Sequence, residues 1–307
     1  AVGVLDVGVI IVTYNSQRLI AGLMESLPLA FGDLSWRAAI VDNASTDGTV
    51  ASLREHGQEA IAMGRNSGYA AAINRGLDEF RDATSILILN PDIVMTAGAA
   101  AELHRALAEP GVGVAAPQTR GFDGRLHLTL RRTPSIPRAL GTALLGGRAG
   151  DRLGGLSETV SDPAMYTEPR DVDWAVGSAL LVSRACADAV GKWDERYFLY
   201  SEETDFCERA RRAGFRVRYI PGAVVKHEGG GGIGQPYLRS MMMVNRVRHY
   251  RVHHSTVATC AFYFAVLLSE GLRAAAGNVA AKAAVTALVR PSARPVELHA
   301  SEHLIPG

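Results

Sequence analysis

The chain has 307 residues, a length that suits one α/β domain with an extension. Hydrophobic residues make up 48% and charged residues 21%, the ordinary proportions of a globular protein. A formal net charge of +1 argues against a nucleic-acid binder that works by bulk charge. Three widely spaced cysteines argue against a disulfide framework and favour a reducing compartment.

Strand and helix signals alternate over roughly the first hundred residues. Residues 7–13 form a short β-branched apolar run, which predicts a buried strand and not a signal peptide. Similar runs predict strands at 38–41, 59–63, 85–89 and 112–116. Helical spacing predicts helices that start near Leu19 and over 49–55, 69–80 and 96–108. This alternation predicts a doubly wound, mostly parallel α/β sheet.

The second half of the chain is less regular. Residues 117–169 are rich in Gly, Pro and Arg and are predicted to be loops with a hairpin. Strands are predicted at 179–182 and 215–220, with a charged helix over 202–213 between them. A helical tail is predicted from Pro236 to Pro291, so we expect a main domain over 1–235 and a C-terminal tail over 236–307. Its apolar run, 257–268, is shorter than the ~20 residues that span a bilayer.

Polar clusters follow several predicted strands, at the sheet edge where open α/β folds bind ligands. They are Thr13-Tyr14-Asn15, Asp42-Asn43, Arg65-Asn66-Ser67-Gly68 and Asn90-Pro91-Asp92. Each cluster alone is also explained by turns and helix caps. Arg65 can meet phosphate charge, and Gly68 can admit an anion to the helix start. Asp92 is suited to Mg²⁺ or Mn²⁺, which bind through one or two protein oxygens plus substrate phosphates.

Acidic residues open the charged helix that follows Ser201. Glu202, Glu203 and Asp205 are explained either by Ser201 capping the helix and by its dipole, or by a general base. The aromatic residues Trp174, Trp193 and Tyr200 favour the second interpretation, because aromatic walls suit sugars and raise a carboxyl pKa. His227 ends a strand and can complete a divalent-cation site, although a lone His is more often structural.

A glycine motif late in the chain is a false lead. Gly229, Gly231 and Gly234 have the spacing GxGxxG of a dinucleotide fingerprint. The acid that such a site needs about 20 residues later is missing from 249–255, and Pro236 crowds the helix start. A Rossmann dehydrogenase is therefore excluded.

Taken together, these motifs resemble family 2 glycosyltransferases with the GT-A fold. Residues 9–15, 41–48, 66–74 and 89–92 resemble the nucleotide-binding half of that family, here 1–117. Residues 173–182, 193–200, 202–215 and 225–231 resemble its acceptor half, here 118–235. The bacterial rhamnosyltransferase-like branch, which builds cell-wall and surface polysaccharides, is the most similar. The resemblance implies an inverting, metal-dependent transfer from a dTDP- or UDP-linked sugar, with rhamnose as the first candidate.

The resemblance also assigns roles to residues. Nucleotide binding falls to Thr13, Tyr14, Asn15, Asp42, Asn43, Arg65, Asn66, Gly68, Asn74 and Asn90. Acceptor binding falls to Trp174, Gly177, Trp193 and Tyr200. Metal binding falls to Asp92 and His227, and the base is Glu203, with Glu202 and Asp205 as rivals. Two positions depart from the family pattern, because Asn90 replaces the first acid of DxD and Glu203 stands where Asp is usual.

Two other functions stay open at the level of sequence: a non-catalytic nucleotide-sugar binding module and a sugar-1-phosphate nucleotidyltransferase. Thr13-Tyr14-Asn15 disfavours the latter, which usually has a glycine-rich basic loop there. The tail contains Met241–Met243, several arginines and the apolar run. It fits either a segment resting on an anionic bilayer or a helix packed on the core or in a homodimer. A lipid-linked acceptor would place the enzyme in the cytoplasm, at the inner face of the membrane.

Overall fold

The computed structural model describes residues 4–229, 234–298 and 304. The strands are β1 (Leu5–Thr13), β2 (Trp36–Asp42), β3 (Ala60–Ala62), β4 (Ala83–Leu89), β5 (Ile93–Met95), β6 (Val112–Arg120), β7 (Leu130–Arg131), β8 (Arg170–Val172), β9 (Trp174–Ala175), β10 (Ala179–Ser183) and β11 (Arg216–His227). The α-helices are α1 (Gln17–Ala30), α2 (Thr49–Glu55), α3 (Tyr69–Leu77), α4 (Ala99–Ala106), α5 (Ile136–Leu145), α6 (Gly147–Arg152), α7 (Arg184–Val190), α8 (Glu202–Arg212), α9 (Pro236–His253), α10 (Thr256–Ala275) and α11 (Val279–Val289).

The central sheet has the order β3-β2-β1-β4-β10-β6-β11-β5, and β8 pairs with β11. Strands β3, β2, β1, β4, β6 and β11 run in one direction, while β10, β5 and β8 run in the other. The prediction of a doubly wound, mostly parallel α/β sheet is confirmed. The four parallel strands at one end bring Thr13, Asp42 and Leu89 to the same edge.

Strand β1 is buried on both faces because helices cover both sides of the sheet. Its side chains alternate between two cores. Ile10 and Val12 pack in one core, and Val7, Val9 and Ile11 pack in the other. The resulting rigid sheet is the platform from which the edge loops project.

Several predicted elements differ from the structure. Residues 117–169 contain the predicted hairpin, a short one in which Arg120 bridges Leu126, but also the helices α5 and α6, where loops were expected. Strand β7 pairs with β9, more than 40 residues along the chain. The strand predicted at 215–220 continues to His227 as one strand, β11, whose register shifts between Ile220 and Val224. Pro221 and Gly222 interrupt the apolar pattern at this bulge, which is why the sequence suggested a break.

The C-terminal helices α9, α10 and α11 form a third core together with α5. The helix α10 is longer than the apolar run that predicted it. With 20 residues and a mean hydropathy of 1.3, α10 meets the length and composition of a membrane span, and 39% of that window is buried within the protein. The argument from run length was therefore wrong. Gly231 of the rejected glycine motif lies outside the described residues.

Candidate active site

The edge of the sheet carries a hydrogen-bonded cluster around Asp42. Thr13 Oγ1 donates to Asp42 Oδ1 at 2.8 Å, and the backbone N–H of Ser45 donates to Oδ2 at 2.9 Å. Asn15, at a φ of 49°, accepts the N–H of Thr46 at 2.8 Å through its side chain. These contacts fix the loop after β2. Because both oxygens of Asp42 already accept a hydrogen bond, a ligand could use only the lone pairs that these bonds leave free.

The next loop is attached to the same edge through asparagines. The amide of Asn43 donates to the carbonyl of Gly68 at 3.1 Å, and Asn66 Oδ1 accepts the N–H of Gly68 at 3.2 Å. Gly68 has a φ of +93°, and a Cβ there would lie 2.6 Å from the carbonyl oxygen of Phe198. Only glycine suits both constraints. Its role differs from the predicted anion approach, because the N–H of Tyr69 at the helix start already donates to Phe198 O at 2.6 Å.

A cavity of about 210 Å³, the sheet-edge cavity, brings predicted nucleotide-binding residues together. Tyr14, Asn43, Asn66, Gly68 and Asn90 line it, with Tyr69, Phe198 and Leu199 among the other walls. Arg65 and Asn74 lie instead on a neighbouring cleft of about 740 Å³ that shares Asn66 and Phe198. The side chain of Asn74 is engaged by Trp193 and Glu195, so it joins the two halves of the domain.

Asp92 and His227 meet beside this edge. His227 Nε2 lies 2.9 Å from Asp92 Oδ2, because Ile93 of β5 pairs directly with His227 of β11. Within the described part of the chain, Asp92 Oδ1 is buried and has no hydrogen-bond partner. The pair therefore offers a buried carboxylate oxygen with an adjacent imidazole, a donor set that suits a divalent cation.

A strained turn leads into α8. Phe198, Tyr200 and Ser201 have positive φ angles of 60°, 70° and 75°. Ser201 adopts the left-handed conformation and makes no side-chain cap, so the predicted Ser201 cap is wrong. N-cap hydroxyls act from extended backbone, which this turn does not provide. Three such residues in a row of four are stable only when their surroundings impose them, and they mark functional sites.

Glu202 and Glu203 begin α8 in a dry environment. Burial raises the pKa of Glu202 well above its ordinary range, and the charge of Glu203 raises it further. Burial also raises the pKa of Glu203, although backbone N–H groups and Arg131 oppose the shift. The hydroxyl of Tyr69 is buried and has no hydrogen-bond partner in the described chain. Burial raises its pKa, and the charges of Glu202, Glu203 and Asp92 raise it further.

Asp205 lies on the far side of α8. Its Oδ1 is 3.1 Å from His253 Nε2, and Arg209 Nε donates to Oδ2 at 2.7 Å. Burial acts to raise the pKa of Asp205, but the hydrogen bond from His253 and the charge of Arg209 prevail and lower it. His249 completes a group whose ligand atoms lie within 4.8 Å of one another. Since Arg209 already neutralises the carboxylate, we interpret this group as a polar joint between α8 and α9.

A cavity of about 360 Å³, the α8 cavity, opens beside Glu203. Trp174 and Tyr200, two of the predicted acceptor-binding residues, line it together with Arg131, Met242 and Arg246. Gly177 contacts the acid directly, because its N–H lies 3.4 Å from Glu203 Oε1 and a Cβ would lie 2.9 Å from Glu203 Cβ. Glu202 and Asp205 do not line this cavity.

The prediction for Trp193 is wrong. Its side chain is 3% exposed and stacks on Phe206, with ring centroids 4.4 Å apart, inside the core. The sequence pattern could not distinguish this tryptophan from Trp174, because both come before the acidic residues at 202–205 in the chain. The basic run of the tail is likewise internal: Arg239 is bound to Glu270 in a buried pair at 2.6 and 2.7 Å, and Met241 and Met243 are buried.

Two further site residues were missed. Asn245 is fully buried, and its amide nitrogen lies 2.6, 2.9 and 3.2 Å from the carbonyls of Tyr197, Leu199 and Tyr200. Arg131 is half-buried and lines the α8 cavity with Glu203, and its guanidinium lies 5.9 Å from the Trp174 ring. A polar residue inside an apolar helix, as Asn245 is among Met243, Val244 and Val247, was the available signal.

Comparisons with known proteins bear on the family and the fold of the chain. The model of the family described as Glycosyl transferase family 2 matches residues 8–158. The chain is 29% identical over 261 residues to the N-acetylglucosaminyl-diphospho-decaprenol L-rhamnosyltransferase of Mycobacterium tuberculosis, covering 81% of each protein. It is 26% identical over 216 residues to the low-salt glycan biosynthesis hexosyltransferase Agl10 of Haloferax volcanii, covering 69% of this chain and 64% of that protein.

Among solved structures, the mannosyltransferase of Pyrobaculum calidifontis in complex with GDP-Man and Mn²⁺ is similar, with a TM-score of 0.56. The likeness covers 96% of this chain and 83% of that one at 16% identity, so it bears on the fold alone.

Proposed function

We propose that the chain is a member of glycosyl transferase family 2, whose model matches residues 8–158, and that it moves a hexose from a nucleoside diphosphate to a hydroxyl of a lipid-linked glycan. L-Rhamnose is the first candidate sugar, because the Mycobacterium tuberculosis relative is named as an L-rhamnosyltransferase of N-acetylglucosaminyl-diphospho-decaprenol. A dTDP- or UDP-linked sugar is the first candidate donor, as the resemblance of the sequence motifs implies. The nucleotidyltransferase and binding-module alternatives have no comparable support.

The observation that carries the proposal is the arrangement of two cavities around one strained turn. Phe198 and Leu199 line the sheet-edge cavity, whereas Tyr200 and Ser201 line the α8 cavity. Tyr69 lines the sheet-edge cavity, and the charges of Glu203 and Asp92 both raise the pKa of its hydroxyl. The turn therefore forms a shared wall of the two cavities. A donor bound in the first cavity and an acceptor bound in the second would have their reacting groups next to each other at this wall, as a direct transfer requires.

On the donor side, Asp92 and His227 would hold a divalent cation, Mg²⁺ or Mn²⁺. The buried, unpartnered Oδ1 of Asp92 is the feature that fits such an ion. When bound, the cation offsets the negative charge that grows on the departing diphosphate. The side chains at the cavity rim, Tyr14, Asn43 and Asn90, would then orient the nucleoside and its sugar.

On the acceptor side, Glu203 is the group that we assign as general base. Of the three rival acids it alone lines the α8 cavity, its Oε2 is buried without a hydrogen-bond partner in the described chain, and burial raises its pKa. A carboxylate of raised pKa accepts a proton more readily than an ordinary one. It would take the proton of the acceptor hydroxyl as that oxygen attacks the anomeric carbon from the face opposite the diphosphate, so configuration inverts.

Arg131 and Gly177 would position this base. The N–H of Gly177 and the charge of Arg131 both favour the ionised form of Glu203, which keeps part of the carboxyl population deprotonated despite its burial. Trp174 offers an aromatic wall at the same cavity, as sugar rings require. A lipid-linked acceptor would place the enzyme at the inner face of the cell membrane.

The test is release of nucleoside diphosphate from dTDP-rhamnose, UDP-N-acetylglucosamine and GDP-mannose, each with Mn²⁺ and a polyprenyl diphosphate-linked N-acetylglucosamine acceptor. We expect acceptor-dependent release with one of these donors and none from Glu203→Gln. Binding of every donor without turnover, under conditions where the acceptor is soluble, would support a binding module instead.

A further inference from the structure

The helices α5 and α10 present an exposed face made mainly of apolar side chains. On α10 exposed apolar residues recur at helical spacing, and they are Val257, Ala261, Phe264, Leu268 and Leu272. Val257 is 81% exposed and Phe264 is 60% exposed. On α5 the exposed residues include Pro137, Leu140 and Leu144, the last of them 67% exposed. A surface helix normally turns charged residues to solvent, so this face requires a partner.

The two exposed faces form one surface. Helix α5 packs along α10, and both helices turn their opposite sides into the third core, through Ala139 on α5 and Phe262 and Val266 on α10. Because their buried sides share a core, their outer sides lie next to each other. We name this surface, formed by the exposed residues of α5 and α10 together with α6, the α5–α10 face.

The charges on this face have a single sign. Across residues 136–153 and 256–275, the exposed charged side chains are Arg148, Arg152 and Arg273. The carboxylates in these ranges, Asp151 and Glu270, are buried and bound to Arg132 and Arg239 at 2.6 Å. Apolar side chains bordered only by exposed arginines are complementary to an anionic bilayer. The apolar side chains can enter the acyl boundary, and the arginines can bind the lipid phosphates.

We propose that the α5–α10 face docks on an anionic lipid bilayer, with α10 lying in the plane of the interface. Helix α10 does not cross the bilayer, because its inner side is fixed by Phe262, Tyr263 and the buried Glu270–Arg239 pair. The occupant is a lipid surface and not a second copy of this chain, since paired copies would bring the arginines of one face against those of another.

Docking has a consequence for the acceptor that rests on the proposed function. The α8 cavity is lined by Thr142 of α5, Gly147 of α6 and Arg273 of α10, as well as by Glu203. Its wall therefore continues into the α5–α10 face. A lipid-linked sugar could enter this cavity from the membrane, with its phosphates beside Arg273 and its chain still in the bilayer.

The experiment is flotation of the full chain with vesicles of phosphatidylcholine alone and of phosphatidylcholine mixed with phosphatidylglycerol. We expect binding to the mixed vesicles, at least about tenfold less binding for Phe264→Asp/Leu268→Asp, and a comparable loss for Arg148→Glu/Arg152→Glu. The matched controls are Leu29→Asp on α1, where the leucine is 69% exposed, and Arg81→Glu on the turn before β4. Both controls should bind as the unaltered chain does.

Equal binding of the face variants and the controls would overturn the proposal, as would absence of binding to the mixed vesicles. A dimer in solution that Phe264→Asp/Leu268→Asp converts to monomer, without vesicle binding by either form, would assign the face to a second copy. Turnover with a short-chain, water-soluble acceptor tests the proposed sugar transfer separately from membrane docking. If docking alone is wrong, that turnover persists; if the proposed transfer is wrong, it is absent even where vesicles bind.

Discussion

The amide of Asn245 lies 2.6 Å from the carbonyl oxygen of Tyr197 and joins α9 to the strained turn before the proposed base. Its oxygen accepts from Arg248 at 3.1 Å, and Arg248 in turn donates to the carbonyl of Arg196 at 2.6 Å. The C-terminal helices are therefore part of the site, because they impose the backbone from which Glu202 and Glu203 project.

Asn245→Asp should damage both folding and turnover. The substitution keeps the shape but replaces two N–H donors by an acceptor facing three carbonyls, which costs on the order of 3 kcal/mol of unfolding free energy. We expect kcat to fall more than donor affinity, since the turn positions α8. Urea unfolding and steady-state kinetics measure the two effects. The control is Asn278→Asp, because Asn278 caps α11, where aspartate serves equally well. Equal kinetics for the two variants would contradict a positioning role.

Gly177→Ala should slow the chemical step. A Cβ at this position would lie 2.9 Å from Glu203 Cβ, so the helix start or the carboxylate must move. A displacement of about 1 Å costs roughly a hundredfold in rate, and we expect that loss in kcat with little change in donor affinity. Gly222→Ala is the matched control, because nothing lies within 4 Å of a Cβ there. If both alanine variants turn over normally, the contact between Gly177 and the base has no catalytic value.

The acid limb of the pH–rate profile should lie above the ordinary glutamate value of 4.5, because burial raises the pKa of Glu203. A general base works only when ionised, so activity is full above the raised pKa and is lost as pH falls through it. Glu203→Gln should reduce kcat by about a thousandfold or more. Glu202→Gln should retain activity near neutral pH, because Glu202 does not line the α8 cavity in which we place the acceptor. The reverse ranking would make Glu202 the base.

Glu270→Gln should destabilise the third core by about 3–5 kcal/mol, because it leaves the buried guanidinium of Arg239 without a countercharge. The Arg239–Glu270 pair has side-chain exposures of 6% and 3%. Glu102→Gln is the control, since Arg105 and Glu102 form an exposed pair worth less than about 1 kcal/mol. Thermal unfolding of both variants gives the comparison, and similar midpoints would show that the buried pair has no special weight.

The local pattern of apolar residues was sufficient to predict the main strands in the first half of the fold. The apolar runs that predicted β1, β2 and β4 end at the residues that bring Thr13, Asp42 and Asn90 to one edge. These strands are buried on both faces, so burial and β-branched composition coincide. Asp92 and His227 were also named from sequence, but only the antiparallel pairing of β5 with β11 explains their separation of 2.9 Å.

The acceptor side depended on contacts between distant residues, and sequence pattern carries little of that information. Helix α5 lies among glycines and prolines that indicated loops, yet it is stabilised by its packing on α10. The buried states of Trp193 and of the α9 arginines follow from stacking and from partners such as Glu270. Asn245 shows the same limit, because its role exists only once the strained turn has formed.

The most direct measurement of the central claim is calorimetric binding of dTDP and UDP, with and without Mn²⁺, to the unaltered chain, Asp92→Asn and His227→Gln. Asp33→Asn, at an exposed loop position, is the matched control. We expect Mn²⁺ to increase the nucleotide affinity of the unaltered chain and of the control. In both site variants this increase should be smaller by a factor of at least about ten. Binding to Asp92→Asn with an undiminished response to Mn²⁺ would contradict the account, because no cation would then be anchored where the donor's phosphates must lie.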